Sequence, residues 1–204
     1  MTIPGPSKIS ADEALNRLIE GNRRFAMDKT IAPNRSESRR IEITRGQHPF
    51  AIILGCVDSR VPPELIFDQG LGDLFVIRSA GQVIDDAILG SIEFGVAELG
   101  IPLILVLGHS KCGAVTATIE TLEKNLPVEG AIGTLVENIK PAVGRAKGHG
   151  EQLIDQAARM NVTLEINRLK ESPILSGAIK DGSTKIVGAF YNLSTGLAEI
   201  MTLK

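Results

Sequence analysis

Two short stretches of this chain, Phe50 to Cys56 and Pro102 to Gly108, contain no charged side chain and no polar one apart from the terminal thiol. They lack the alternation of a strand with one wet face. Both fall far short of the ~20 apolar residues that cross a bilayer. Runs of this length suit strands buried on both faces, which occur in parallel sheets covered by helices on each side. No other feature restricts the fold so strongly.

The segments around them alternate in the same sense. Ser10 and Glu13 form a capping-box pattern. Leu15, Leu18, Ile19, Asn22 and Phe25 then line one face of a helix at helical spacing. A polar, arginine-rich stretch from Asn34 to Gln47 reads as a solvated loop with a short helix. After the first strand, Pro62 and Pro63 open a short helix. Asp73 to Arg78 reads as a strand and Asp86 to Leu99 as a helix stopped by Gly100. The third strand, Pro102 to Gly108, leads to a helix over Cys112 to Asn125. Further helices are expected over Val128 to Lys147, interrupted at Pro141, and over Glu151 to Lys170. Thr184 to Tyr191 and Leu197 to Leu203 are strands joined by a turn at Leu193 to Gly196. That connection is too short for a crossover, so the last strand returns antiparallel.

The expected fold is therefore α/β: a mainly parallel sheet of four strands plus an antiparallel edge strand, flanked by helices, with an N-terminal helical arm. A chain of 204 residues fits one domain, with residues 1–46 as the arm and 47–204 as the core. Met1 to Ser10 has neither an apolar core nor a cationic lead, so a cytoplasmic protein without a signal peptide is expected.

Composition removes several functions. Lys and Arg number 22 against 24 Asp and Glu, a formal charge of −2, which argues against nucleic-acid or polybasic membrane binding. Aromatic residues are 3% with no Trp, too few for base-stacking platforms. Two Cys cannot build a disulfide framework or close a four-thiolate zinc knot alone.

Both cysteines nevertheless fall where parallel sheets place function, at the carboxyl ends of strands. Cys56 closes the first strand in Gly55-Cys56-Val57-Asp58-Ser59-Arg60, and the third strand ends in Gly108-His109-Ser110-Lys111-Cys112-Gly113. Neighbouring strands lie about 5 Å apart, so one thiol can meet an imidazole and a second thiol. Two thiolates and an imidazole suit Zn²⁺, and three protein ligands leave the fourth position open for catalysis. Asp58 and Arg60 stand beside the first ligand and can pair bidentately. Competing chemistries fit less well. A phosphatase loop needs Arg where Pro62 and Thr118 stand, no Cys-x-x-Cys is present, and Gly108 to Gly113 lacks the rest of a P-loop.

These two motifs, with Gly21 to Phe25, Gly70 to Arg78, Gly90 to Glu93 and Ser172 to Leu175, resemble the β-class carbonic anhydrases over nearly the whole chain. The resemblance implies reversible hydration of carbon dioxide to bicarbonate and a proton, by attack of a zinc-held hydroxide. It implies one zinc per subunit on Cys56, His109 and Cys112, with Asp58 accepting the hydroxide's hydrogen bond and Arg60 keeping Asp58 ionised. Gln47 matches a substrate-orienting glutamine that reaches across from a partner subunit; Phe75, Ala80 and Gly113 match the substrate pocket. A homodimer or dimer-based tetramer follows, with the N-terminal helix over a neighbour. A hydrolase of carbonyl sulfide or carbon disulfide on the same site is the alternative, and a non-catalytic zinc protein a third reading.

Some positions depart from the family. Phe94 replaces a frequent Tyr, and Ala80 replaces the larger Val of plant members. His48 beside Gln47 and His149 between glycines read as ordinary surface residues, and Lys111 as a side chain that reaches out to water. Some members carry an inhibitory bicarbonate site of Trp, Arg and Tyr. Arg78 and Tyr191 match it here, but Ile53 stands at the Trp position. Steady-state assays should therefore find no potent, cooperative inhibition by bicarbonate, and finding it would refute that inference.

Overall fold

The structure, a computed structural model, describes residues 9–202. The reading of the N-terminal decapeptide and the far end of the last strand, at Leu203, thus fall largely outside the described residues. Among the described residues no helix is long and apolar enough to cross a membrane.

Five strands form one sheet: β1 (Ala51–Cys56), β2 (Leu74–Ser79), β3 (Leu103–His109), β4 (Lys185–Tyr191) and β5 (Ala198–Ile200). Their order is β2-β1-β3-β4-β5. Four run parallel, and β5 returns antiparallel against β4. This is the expected α/β architecture.

Every residue of β1 and β3 is buried. The alternation of side chains across the pleat sorts them into two cores. Ile52, Leu54, Ile104 and Val106 face one cluster with Ile92, Val162, Ile166 and Leu175 from α4 (Asp86–Ala97), α7 (Gly150–Glu171) and α8 (Pro173–Lys180). Ile53, Leu103, Leu105 and Leu107 face the other, where Ala14 and Leu18 of α1 (Ala11–Ala26) meet Ile66 of α3 (Pro63–Ile66). A third cluster, at the strands' carboxyl ends, packs Cys56 and Cys112 with Val115 and Ile119 of α5 (Gly113–Lys124) and Ile139 of α6 (Ile132–Arg145).

The capping box of α1 is formed: the Glu13 amide donates to Ser10 Oγ at 3.2 Å and the Ser10 amide to Glu13 Oε2 at 2.7 Å. Leu18 and Asn22 of its expected face are buried, Leu15, Ile19 and Phe25 partly so, and Ala14 and Gly21 complete the stripe. Gly21 is required there, because a Cβ would stand 1.8 Å from the Phe67 carbonyl oxygen. The arm continues through α2 (Glu37–Ile43), which buries no residue.

Three local features differ from expectation. Helix α6 starts at Ile132 rather than Val128 and runs unbroken through Pro141. Proline removes the bond to the carbonyl four residues back, that of Glu137; both residues lie on the exposed face, where water can serve it. Helix α8 lies where no element was expected. It is started by Pro173 in its first turn and by Ser172, whose hydroxyl caps the Leu175 amide. A 3-10 turn at Ala80–Gln82 follows β2.

Asn22 binds the arm helix to the core. Its Nδ2 donates to the carbonyls of Ile66 (3.0 Å) and Gly196 (2.9 Å), and its Oδ1 accepts from the Ala198 amide (2.8 Å). Asn22→Leu keeps the volume but strands these groups, so it should cost on the order of 1–3 kcal/mol. A lowered urea midpoint would register that loss; an unchanged midpoint would show the bonds to be dispensable.

Candidate metal centre

The register of the sheet sets the site. Cys56 pairs with Ser79, the last residue of β2, and the β1–β3 register runs Gly55 to Leu107. Cys56 and His109 therefore emerge from adjacent strands at nearly the same level. The next three residues turn Cys112 back towards them. That turn is fixed on several sides: the Ser110 amide donates to the Tyr191 carbonyl at 2.9 Å, the Leu193 amide to Ser110 Oγ at 3.0 Å, and the Lys111 amide to Asp155 Oδ1 at 3.2 Å. Lys111 takes a left-handed φ of 53° and sends its ammonium outward to Glu151, 3.1 Å away.

As a result, the ligating atoms of Cys56, His109 and Cys112 lie within 4.8 Å of one another, and all three residues are buried. His109 Nδ1 contacts the Ser110 carbonyl at 2.9 Å, which makes it the protonated nitrogen and leaves a lone pair on Nε2. Nε2 is fully buried without a protein partner. A buried polar atom of this kind is costly unless a ligand satisfies it. Two sulfurs and one imidazole nitrogen, with no fourth donor in the cluster among the described residues, fit zinc with an open position.

The three ligating groups act on one another electrostatically. Cys56 is lowered to about 4, chiefly because Cys112 hydrogen-bonds to it, with burial opposing and His109 and the Gly81 amide assisting. The Gly81 amide lies 3.3 Å from Cys56 Sγ. The same bond, with burial and the Cys56 charge, pushes Cys112 far up, against the amides of Val115 and Ala114 at the start of α5. Burial alone would lower His109, but the adjacent Cys56 sulfur and its charge outweigh it and the imidazole is raised.

Asp58 stands at the rim. Arg60 clamps it bidentately, Nε to Oδ1 at 2.9 Å and a terminal nitrogen to Oδ2 at 2.6 Å, while the Arg60 amide adds a bond to Oδ1 at 2.9 Å. The Arg60 side-chain bond, working against burial, lowers Asp58 to about 2. Its Oδ2 lies 3.9 Å from His109 Nε2. Arg78 holds the loop from beneath by donating to the carbonyls of Cys56 (2.7 Å), Asp58 (2.7 Å) and Val61 (3.3 Å).

The remaining expected site residues are more scattered within one chain. Ala80 follows Ser79, the partner of Cys56, and Gly113 begins α5 directly after Cys112 with open space at its Cβ position. Phe75 sits on β2 opposite Ile52 and packs against the first core. Gln47 is exposed on the segment between α2 and β1 and makes no hydrogen bond to the cluster. Of the positions compared with the bicarbonate triad, Ile53 and Tyr191 are buried in the second core.

Several contributors carry no motif. Gly81 has a left-handed φ of 66°, and Gln82 follows at 47°. Asn161 and Glu165, one turn apart on α7, are both buried. Burial pushes Glu165 up to about 7, against the nearby Arg168 charge and the Ile84 amide. An isolated Gly-Gln pair and a helical Asn gave no warning of these contacts.

The carbonic anhydrase family profile matches residues 51–198. A carbonic anhydrase of Mycolicibacterium smegmatis is 39% identical over 97% of this chain and 95% of its own length. Carbonic anhydrase 2 of Mycobacterium tuberculosis is 42% identical over 96% of this chain and 94% of its own. The solved structure of the β-carbonic anhydrase CcaA superposes with a TM-score of 0.73 at 27% identity, covering 92% of this chain and 95% of that one. The strand order, the relatives along nearly the full length and the profile match agree: the chain belongs to the β-carbonic anhydrases, a family of carbonate dehydratases.

Proposed function

We propose that this chain hydrates carbon dioxide reversibly to bicarbonate and a proton, with one zinc per subunit held by Cys56, His109 and Cys112. The observation that carries this reading is the buried trio whose ligating atoms lie within 4.8 Å, with a clamped carboxylate 3.9 Å from the imidazole. Bound there, zinc would act as a Lewis acid that lowers the pKa of a coordinated water and so supplies a nucleophile near neutral pH.

The protein's own groups do the rest. Asp58 stays ionised at any working pH, since Arg60 holds it at about 2, and it serves as a fixed acceptor. Its Oδ2 orients the nucleophile by taking that oxygen's proton as a hydrogen bond. Arg60 and the Arg60 amide occupy the carboxylate on its far side and keep it from swinging onto the ligands. Ala80 and Gly113 leave room beside the ligands, and the exposed Gly113 amide at the start of α5 favours an anionic product. Phe75 supplies an apolar wall, and Gln47 orients the substrate from a second subunit.

That second subunit is the other part of the proposal: a homodimer, or a tetramer built from dimers. Support comes from surfaces that one chain leaves uncovered. The arm exposes Met27, Ile31 and Ile41, α2 buries nothing, and β2 is an edge strand with its outer side unpaired. A cytoplasmic location suits two thiols that must stay reduced to bind metal. The carbonyl sulfide and carbon disulfide alternative draws no support from the relatives, which are named carbonic anhydrases.

Metal analysis with a stopped-flow hydration assay tests the proposal. The wild-type protein should carry one zinc per chain and hydrate carbon dioxide, with activity rising toward alkaline pH because two thiolates neutralise the metal and its water loses a proton late. Asp58→Asn should lower turnover by about tenfold or more while the zinc stays. A zinc-loaded wild-type protein without hydration activity would refute the proposal; metal loss in Asp58→Asn would make Asp58 structural.

A further inference from the structure

We propose that Asn161 is a positioning residue for the metal centre, holding the Gly81 peptide so that its amide donates to the ligating sulfur of Cys56. The inference rests on Cys56 being a metal ligand and adds a residue from a distant helix to that site.

Asn161 lies on α7 with no exposed surface. Its Nδ2 donates to the Gly81 carbonyl at 2.8 Å. A carbonyl only accepts, so this contact fixes which end of the side-chain amide faces the turn. Its Oδ1 has no protein partner. The side chain therefore makes a single protein hydrogen bond, and that bond goes to the turn beside the metal ligands.

The turn needs such a tie. Gly81 and Gln82 both adopt left-handed φ, 66° and 47°, and the second is a buried non-glycine residue. Such conformations persist only where the surroundings over-determine them. A bulkier residue at Gly81 would be strained by the left-handed φ, and its Cβ would displace Ile139 Cδ1, 2.8 Å away. The Gly81 amide, one peptide plane away from the anchored carbonyl, lies 3.3 Å from Cys56 Sγ. An N–H donor on a thiolate draws electron density from the sulfur and weakens its donation to the metal. Groups behind the ligands tune metal sites in this way. At a site with two thiolates, where charge donation is already large, this withdrawal keeps the metal acidic.

The test uses the protein loaded with cobalt or cadmium in place of zinc. In the cobalt protein, Asn161→Leu and Asn161→Ala should shift the sulfur-to-cobalt charge-transfer band to lower energy than wild type, because Cys56 loses its amide donor. A packing role alone would lower thermal stability and leave that band in place. In cadmium-113-loaded wild type, the Gly81 amide proton should show scalar coupling to the metal across the hydrogen bond to sulfur, a measurement that does not depend on the variants folding. An unshifted band in a folded variant, or no coupling in the wild type, would overturn the role of Asn161. Absence of any sulfur-to-cobalt band in wild type would instead overturn the metal site itself.

Discussion

The parallel pairing of β1 with β3 is the constraint on which the rest of this molecule depends. In-register parallel strands end side by side, so Cys56 and His109 leave the sheet at the same edge. An antiparallel pair would have put them at opposite ends. The pairing is enforced by burial: both strands are apolar on both faces, and helices must cover each side. The fully packed centre of the fold thus supports two of the three candidate ligands directly.

Around that edge, each costly feature has a nearby compensation. Burying a thiolate is unfavourable, and Cys56 is offset by the Cys112 thiol, the imidazole and the Gly81 amide. Leaving the carbonyls of a tight loop unpaired is also unfavourable, and Arg78 satisfies those of Cys56, Asp58 and Val61. Asp58 is an acid at the rim, and Arg60 keeps it ionised. Among the buried polar atoms without a protein hydrogen bond, Nε2 of His109 is the one that is grouped with the two sulfurs.

Much of this was legible in the chain. β1 and β3 could be read because they are almost wholly apolar, and the candidate ligands could be read because they close or shortly follow those strands. The capping box of α1 and the antiparallel return of β5 were equally local. The rest depends on contacts across long separations. Asn161 meets Gly81 eighty positions away, and nothing in Met160-Asn161-Val162 points there. Pro141 was expected to break a helix whose exposed face tolerates it. Helix α8 was hidden because its eight residues are short and its caps, Ser172 and Pro173, resemble an ordinary turn. Gln47 is exposed and makes no hydrogen bond to the cysteine–histidine cluster.

The central claim is a three-ligand metal site of two sulfurs and one imidazole with a place kept for a non-protein oxygen. X-ray absorption at the zinc edge of the loaded protein tests it most directly. The account predicts two sulfur scatterers near about 2.3 Å and two nitrogen or oxygen scatterers near about 2.0–2.1 Å. A shell of four protein donors, or one with fewer than two sulfurs, would contradict it.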